Sequence, residues 1–204
     1  MIPYKFIAIE GNIGAGKTTL ATRMAKHYKT ELILEAFAEN PFLPLFYENK
    51  VQYALPLELS FLSERFEQML SISKNNTSKN KLLITDYVFQ KTNLFAEVNL
   101  SSIEFELYKK IANSFNTQLP QPELIIYLDA PIELLLSNIK KRGRAYEQQI
   151  DADYLEKINA SYQLMLAGIP SDKIIRIDMS CFDFKKEENF KELIFRLENH
   201  HRKY

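Results

Sequence analysis

Apolar and polar positions follow two different periods along the chain, and their alternation predicts an α/β fold. Five short segments rich in apolar and β-branched residues are typical of buried parallel strands: Tyr4–Glu10, Glu31–Leu34, Lys81–Thr85, Leu124–Leu128 and Lys173–Asp178. Apolar residues recur at helical spacing in six further segments: Lys17–Lys29, Leu55–Ile72, Ser101–Phe115, Asp129–Lys141, Asp151–Leu166 and Lys185–Glu198. We therefore expect a five-stranded parallel sheet with helices on both faces.

The stretches between these segments indicate a single domain. Lys74–Asn80 is polar and predicts a turn, while Ser101 and Glu104 have the spacing of a helix capping box. Because the chain has no internal repeat and no long linker, we expect residues 1–204 to form one domain. In a sheet of this kind, the ligand binds beyond the carboxyl ends of the strands.

The junction of the first strand and the first helix carries a phosphate-binding motif, the signature of a P-loop NTPase. Residues Gly11–Thr18 match the pattern G-x-x-x-x-G-K-[ST]. Backbone N–H groups of such a loop and the dipole of the following helix bind phosphates, Lys17 reaches the β- and γ-phosphates, and Thr18 ligates Mg²⁺. The ATP-binding residues expected here are Gly11, Asn12, Ile13, Gly14, Ala15, Gly16, Lys17, Thr18 and Thr19.

Composition and charge restrict the class of partner. The 204 residues include 26 lysines and arginines and 26 aspartates and glutamates, which argues against an extended surface for nucleic acid or membrane. The single Cys181 excludes an internal disulfide and fits a reducing compartment. We find no signal peptide and no apolar run near the ~20 residues that span a bilayer, so we expect a cytoplasmic protein. The chain would equally suit one domain of a longer polypeptide.

Two carboxylates follow predicted strands at the edge where the ligand is expected. Glu35 follows the second strand and would accept the proton of an attacking hydroxyl. Asp86 follows the third strand, as a Walker B carboxylate does, and would bind Mg²⁺ opposite Thr18. The alternatives are a solvated glutamate and an aspartate that caps a turn or a helix.

A basic segment between two predicted helices is a candidate lid over the nucleotide, at about residues 140–150. Arg142-Gly143-Arg144 follows two lysines, and its guanidinium groups would neutralise charge on the transferred phosphoryl group. The alternative is a solvated basic helix end. Glu58 lies in a helix otherwise patterned for the core, so it either faces a ligand or lies on the surface.

Together these residues resemble the deoxynucleoside kinase family, whose fold is close to that of thymidylate kinase. The resemblance covers about Lys5–Leu166 and is carried by four segments: Ile9–Thr19, Glu35 with Asn40-Pro41-Phe42, Ala54–Glu58, and Arg142-Gly143-Arg144 with Glu147. It implies a homodimer and inhibition by a deoxynucleoside triphosphate end product.

The same resemblance implies roles for individual residues. Glu35 would be the general base for the sugar 5′-hydroxyl, and Lys17, Arg142 and Arg144 would complete the catalytic set. The substrate contacts implied are Glu35, Tyr47, Leu57, Glu58, Asp86 and Glu147, with Tyr47 and Glu147 at the 3′-hydroxyl.

Two positions depart from the family pattern. The segment Asp86-Tyr87-Val88 lacks the arginine that in many relatives follows the acidic residue and helps to hold the base and the 5′-hydroxyl. Glu58 stands where relatives usually carry a glutamine that reads the nucleobase. An ionised carboxylate only accepts hydrogen bonds, which suits the N1–H and N2–H₂ of guanine. It suits adenine N6–H₂ only if adenine N1 is satisfied elsewhere or Glu58 is protonated.

We therefore expect an ATP- and Mg²⁺-dependent kinase that phosphorylates the 5′-hydroxyl of a purine deoxynucleoside in deoxynucleotide salvage. Likeness to the bacterial purine branch places deoxyadenosine ahead of deoxyguanosine. One alternative is a thymidylate-like nucleoside monophosphate kinase, which needs more cations than Lys50, the single cation in Glu31–Glu58. The other is a nucleotide-binding switch module without an acceptor.

Overall fold

The centre of the molecule is a single parallel sheet. The computed structural model describes residues 2–36, 40–75 and 82–200. The strands are paired in the order β2-β3-β1-β4-β5, all parallel, which confirms the predicted sheet. Their bounds are β1 Phe6–Gly11, β2 Glu31–Ile33, β3 Leu83–Thr85, β4 Leu124–Asp129 and β5 Ile174–Asp178.

Helices cover both faces of the sheet. Alternate residues of β1 show this directly: Ile7 and Ile9 belong to one apolar core, and Phe6 and Ala8 belong to another. The helices are α1 Lys17–Tyr28, α2 Phe42–Glu48, α3 Lys50–Asn75, α4 Lys91–Asn99, α5 Ser102–Asn116, α6 Ile132–Arg142, α7 Ala152–Ala167 and α8 Glu187–Asn199. Short 3₁₀ turns occupy Ala145–Gln149 and Ser171–Lys173. None of the helices within the described ranges is long and apolar enough to cross a membrane.

The long helix α3 differs from the prediction at both ends. It begins at Lys50, five residues before the predicted Leu55, and Pro56 lies inside it. Pro56 removes one helical hydrogen bond, but Ala54 and Leu57 pack with Phe46 in a small apolar cluster that stabilises these turns. The helix also includes Lys74 and Asn75, where a turn was predicted, while 76–81 lie outside the described residues.

Two short helices were missed by the hydrophobic pattern. The helix α2 has seven residues, too few for a periodic signal to stand out. The buried face of α4 includes Lys91 and Thr92, so its inward side does not read as apolar. By contrast, the predicted capping box is present at the start of α5. The Ser101 hydroxyl accepts from the Glu104 backbone N–H, and the Glu104 carboxylate accepts from the Ser101 backbone N–H.

Candidate active site

A cavity of about 770 Å³ opens at the carboxyl ends of the strands. It brings together most of the residues predicted from the sequence: Ile13–Thr19, Glu35, Tyr47, Leu57, Glu58, Asp86, Arg142, Arg144 and Glu147. Gly11 and Asn12 do not line it. The Asn12 side chain turns away and donates to Leu155 O (2.8 Å) and Asn159 Oδ1 (2.6 Å), so it ties the loop to α7.

The phosphate-binding loop has the backbone shape that its glycines allow. Gly14 has φ +85°, and a Cβ atom there would lie 2.8 Å from Leu135 O, so a larger residue would be both strained and obstructed. The Lys17 ammonium donates to Gly11 O at 2.9 Å and to Asn12 O at 3.0 Å. Its pKa is lowered to about 8, first by burial and next by the Lys91 ammonium. The sequence-predicted loop and helix start are therefore present, with Lys17 folded back over the loop.

Thr18 and Asp86, the two residues predicted to hold Mg²⁺, lie in direct hydrogen-bond contact. Thr18 Oγ1 donates to Asp86 Oδ2 at 2.5 Å, and Asp86 is buried. A hydroxyl and a carboxylate oxygen are hard ligands, which fit Mg²⁺ shared with phosphate oxygens and water. The described residues contain no group of three or more histidine, cysteine, aspartate or glutamate side chains that could hold a metal ion.

Glu35 lies two residues beyond β2 with its carboxylate held by two cations. Oε1 accepts from Arg65 Nε at 2.8 Å and from Arg65 Nη2 at 2.5 Å, and Oε2 accepts from Lys91 Nζ at 2.7 Å. Burial raises the pKa of the carboxyl, but Lys91 and Arg65 outweigh this effect and hold it well below its usual range. Glu35 is thus an ionised, oriented carboxylate, as a hydrogen-bond acceptor for a hydroxyl must be.

Tyr87 occupies the sequence position of the absent arginine, but its hydroxyl bonds Gln68 and not Glu35. Its hydroxyl donates to Gln68 Oε1, and Gln68 Nε2 donates to Leu34 O at 3.0 Å. Tyr87 therefore braces the end of β2 from the side of α3. The cations on Glu35 come instead from α3 and α4, at two positions that the sequence analysis did not single out.

Glu58 is buried in the wall of the cavity, with 1% of its surface exposed. Oε1 accepts from Asn99 Nδ2 at 2.7 Å, and Asn99 Oδ1 accepts from the Tyr154 hydroxyl at 3.0 Å. Glu58 Oε2 has no hydrogen-bond partner among the described residues. Burial raises the pKa of Glu58 to about 7, partly offset by the Asn99 hydrogen bond. The ligand-facing alternative for Glu58 therefore has a geometric basis.

The basic segment forms an ion-paired corner of the cavity. Arg142 Nη2 lies 2.5 Å from Glu147 Oε2, and Arg144 Nη1 lies 3.2 Å from Glu147 Oε1. Glu147 is buried, so both arginines are anchored by one carboxylate. Beside it, the Tyr47 ring stacks on Tyr146 with centroids 6.0 Å apart.

The main residues missed by the sequence analysis are Arg65, Lys91, Asn99 and Tyr154, together with the cavity-lining residues of the loop 179–185. Arg65 carried a usable signal, because it lies seven residues after Glu58 and hence on the same face of α3. Lys91 and Asn99 carried none, because they sit at the two ends of the unpredicted helix α4.

The known proteins to which this chain is similar include deoxynucleoside kinases. The chain is 38% identical to a deoxyguanosine kinase of Bacillus subtilis (strain 168) over 183 residues, which is 88% of each chain. It is similar to a deoxyadenosine kinase from M. mycoides solved with the products dCMP and dCDP, with a TM-score of 0.81, 26% identity and coverage of 94% and 98% of the two chains. A structure of that enzyme with dATP has the same TM-score, 25% identity and the same coverage of the two chains. The family model described as deoxynucleoside kinase matches residues 7–202, and the chain therefore belongs to the deoxynucleoside kinase family.

Proposed function

We propose that this kinase transfers the γ-phosphoryl group of ATP to the 5′-hydroxyl of a purine deoxynucleoside, in Mg²⁺-dependent deoxynucleotide salvage in the cytoplasm. The observation that carries the proposal is the position of Glu35. Its backbone N–H donates to Asp86 Oδ1 at 2.8 Å, and Asp86 Oδ2 accepts from Thr18 of the phosphate-binding loop. A base for the acceptor and the residues for the donor are thus directly connected.

On the donor side, the loop Ile13–Thr19 and Lys17 bind the phosphate chain, and Thr18 and Asp86 hold the metal. When bound, Mg²⁺ neutralises charge on the phosphate oxygens. Asn138 Nδ2 donates to Gly14 O at 2.8 Å and so steadies the loop from α6. Arg142 and Arg144 approach the transferred group from the lid, which we place at residues 140–150 of a single domain.

On the acceptor side, Glu35 orients the 5′-hydroxyl and takes its proton as the bond to phosphorus forms. Phosphoryl transfer requires positioning and charge stabilisation more than a strong base, so the low pKa of Glu35 is compatible with this role. Tyr47 and Glu147 bind the 3′-hydroxyl. Beyond them, Leu57 lies in an apolar cluster with Phe46 and Phe61, which suits the faces of a nucleobase.

Within the purines, we place deoxyguanosine ahead of deoxyadenosine, the reverse of the order expected from the sequence. Two buried side-chain polar atoms of the cavity-lining residues lack partners among the described residues: the acceptor Glu58 Oε2 and the donor Arg65 Nη1. Guanine offers the matching pair, with N1–H and N2–H₂ for the carboxylate and O6 for the guanidinium. The relative named deoxyguanosine kinase, at 38% identity, supports the same order.

The alternatives receive less support from the site. A nucleoside monophosphate kinase needs cations for the acceptor phosphate, but Arg65 and Lys91 are both paired with Glu35. A switch module needs no acceptor pocket, yet the cavity continues past Glu35 into the apolar cluster around Leu57.

Assembly and inhibition extend the proposal. Ile103 and Leu107 lie one turn apart on α5 with 86% and 58% of their surfaces exposed, and we propose that this face joins two copies in a homodimer. Inhibition by a deoxynucleoside triphosphate follows if its base occupies the nucleoside pocket and its phosphates reach the loop. The relative from M. mycoides has been solved with dATP.

The test is a comparison of initial rates with ATP and Mg²⁺ for deoxyguanosine, deoxyadenosine, deoxycytidine and thymidine, with guanosine as the sugar control. We expect acceptor-dependent ADP formation, fastest with deoxyguanosine. A pyrimidine preference would overturn the purine assignment. Slow ADP formation that no acceptor accelerates would favour the switch module instead.

A further inference from the structure

The two carboxylate oxygens of Glu35 are not equivalent. Oε1 accepts two hydrogen bonds from Arg65, whereas Oε2 accepts one, from Lys91, among the described residues. Oε1 is engaged by two N–H groups of the Arg65 guanidinium, whereas Oε2 has a single donor and retains a free lone pair. Oε2, the oxygen that Lys91 holds, is therefore the less occupied of the two acceptors for a substrate hydroxyl.

Lys91 is placed for this contact by its helix. It is the first residue of α4, and only 4% of its surface is exposed. A buried ammonium is costly unless it is paired, and its pairing with Glu35 at 2.7 Å offsets that cost. Its ammonium also lies close enough to Lys17 for the two to repel. Lys91 thus brings positive charge to the region between the base and the phosphate-binding loop.

Building on the proposed function, we propose that Lys91 is the positioning residue of Glu35 and performs the task of the arginine absent after Asp86. Arg65 fixes the direction of the carboxylate through two bonds to one oxygen, and Lys91 holds the other oxygen toward the acceptor. A substrate hydroxyl that donates to the free lone pair of Glu35 Oε2 then lies beside the Lys91 ammonium, which donates to the same oxygen. Positive charge fixed there favours the negative charge that develops on the attacking oxygen.

The test compares Lys91→Ala, Lys91→Met and Lys91→Arg with the parent enzyme, and uses Lys191→Ala at an exposed position of α8 as a matched control. We expect kcat to fall about 10²-fold in the alanine and methionine variants, the scale of one lost charge-stabilising donor. The affinities for ATP and for deoxynucleoside should stay within about threefold, because neither variant changes the residues proposed to bind them. Lys91→Arg should recover much of the loss, and Lys191→Ala should match the parent.

Chemical rescue separates this role from a merely structural one. Ethylammonium chloride should restore part of the kcat of Lys91→Ala in a concentration-dependent way, with sodium chloride as the salt control. Ethylammonium should not restore the kcat of Lys91→Met, because the methionine side chain fills the space that the lysine side chain occupied. Lys91→Met also keeps the test informative if Lys91→Ala does not fold. Parent-like kcat in either neutral variant would overturn the inference, as would a loss that neither arginine nor ethylammonium restores. A parent enzyme without deoxynucleoside-dependent ADP formation would instead overturn the proposed function.

Discussion

The backbone N–H of Glu35 donates a hydrogen bond of 2.8 Å to Asp86 Oδ1, which joins the ends of two neighbouring strands. Asp86 Oδ2 is bound at the same time by Thr18. One buried carboxylate therefore sets the position of the candidate base, next to β2, relative to the phosphate-binding loop, next to β1. We therefore expect a change at Asp86 to affect both the proposed metal site and the candidate base.

Asp86→Asn tests this double role. An amide is a weaker ligand for Mg²⁺ than a carboxylate, so we expect the Mg²⁺ concentration for half-maximal rate to rise at least about tenfold. The measurement is the rate as a function of Mg²⁺ concentration at fixed ATP. Asp129→Asn, at the half-exposed end of β4, is the control and should not change the Mg²⁺ concentration for half-maximal rate. An unchanged curve for Asp86→Asn would remove Asp86 from the metal site.

Glu35→Gln tests the proton acceptor. The amide keeps the size of the side chain but accepts protons poorly, so we expect kcat to fall by about 10²-fold or more. Binding of ATP, measured by calorimetry, should remain near that of the parent because Glu35 acts on the acceptor. Glu31→Gln, an exposed position on β2, is the matched control. Near-normal turnover in Glu35→Gln would exclude the role of general base.

The choice between purines should depend on pH through Glu58. Below its pKa of about 7 the carboxyl carries a proton that it donates to adenine N1, and above this pH it only accepts, which suits guanine N1–H. The ratio of kcat/KM for deoxyguanosine to that for deoxyadenosine should therefore rise about tenfold as pH increases through 7. The charged groups that shift the pKa of Glu58, namely Arg65, Glu35 and Lys91, are present with either substrate. The ratio of the two kcat/KM values therefore reports the titration of Glu58.

Glu58→Gln supplies the control for that experiment. Glutamine does not titrate, and its amide offers one donor and one acceptor at every pH. We expect a ratio that does not change across neutral pH and that is shifted toward deoxyadenosine. If the ratio in the parent enzyme is equally insensitive to pH, Glu58 does not read the base in the proposed way.

Glu147→Gln tests the 3′-hydroxyl contact. The substitution removes a charged acceptor, so kcat/KM for deoxyguanosine should fall by about 10- to 100-fold. With 2′,3′-dideoxyguanosine, which lacks the hydroxyl, the substitution should cost much less. Because Glu147 also anchors Arg142 and Arg144, an equal loss with both nucleosides would assign it to the lid alone.

Much of the fold was predictable because its signals are local. Strand and helix periods depend on which residues are apolar, and the loop at Gly11–Thr18 requires specific residues at consecutive positions. These signals predicted the five parallel strands and the helices on both faces. They failed at α4, since a helix whose buried face includes Lys91 and Thr92 does not look amphipathic.

The sequence by itself determined that the chain has a phosphate-binding loop in a parallel α/β sheet and that carboxylates follow its strands. Only the tertiary structure decided which charges meet those carboxylates. Arg65 lies 30 residues and Lys91 lies 56 residues from Glu35 along the chain, and both pair with it because α3 and α4 pack on the same face of the sheet. Ion pairing depends on distances of a few ångströms, which only the packing of distant elements determines.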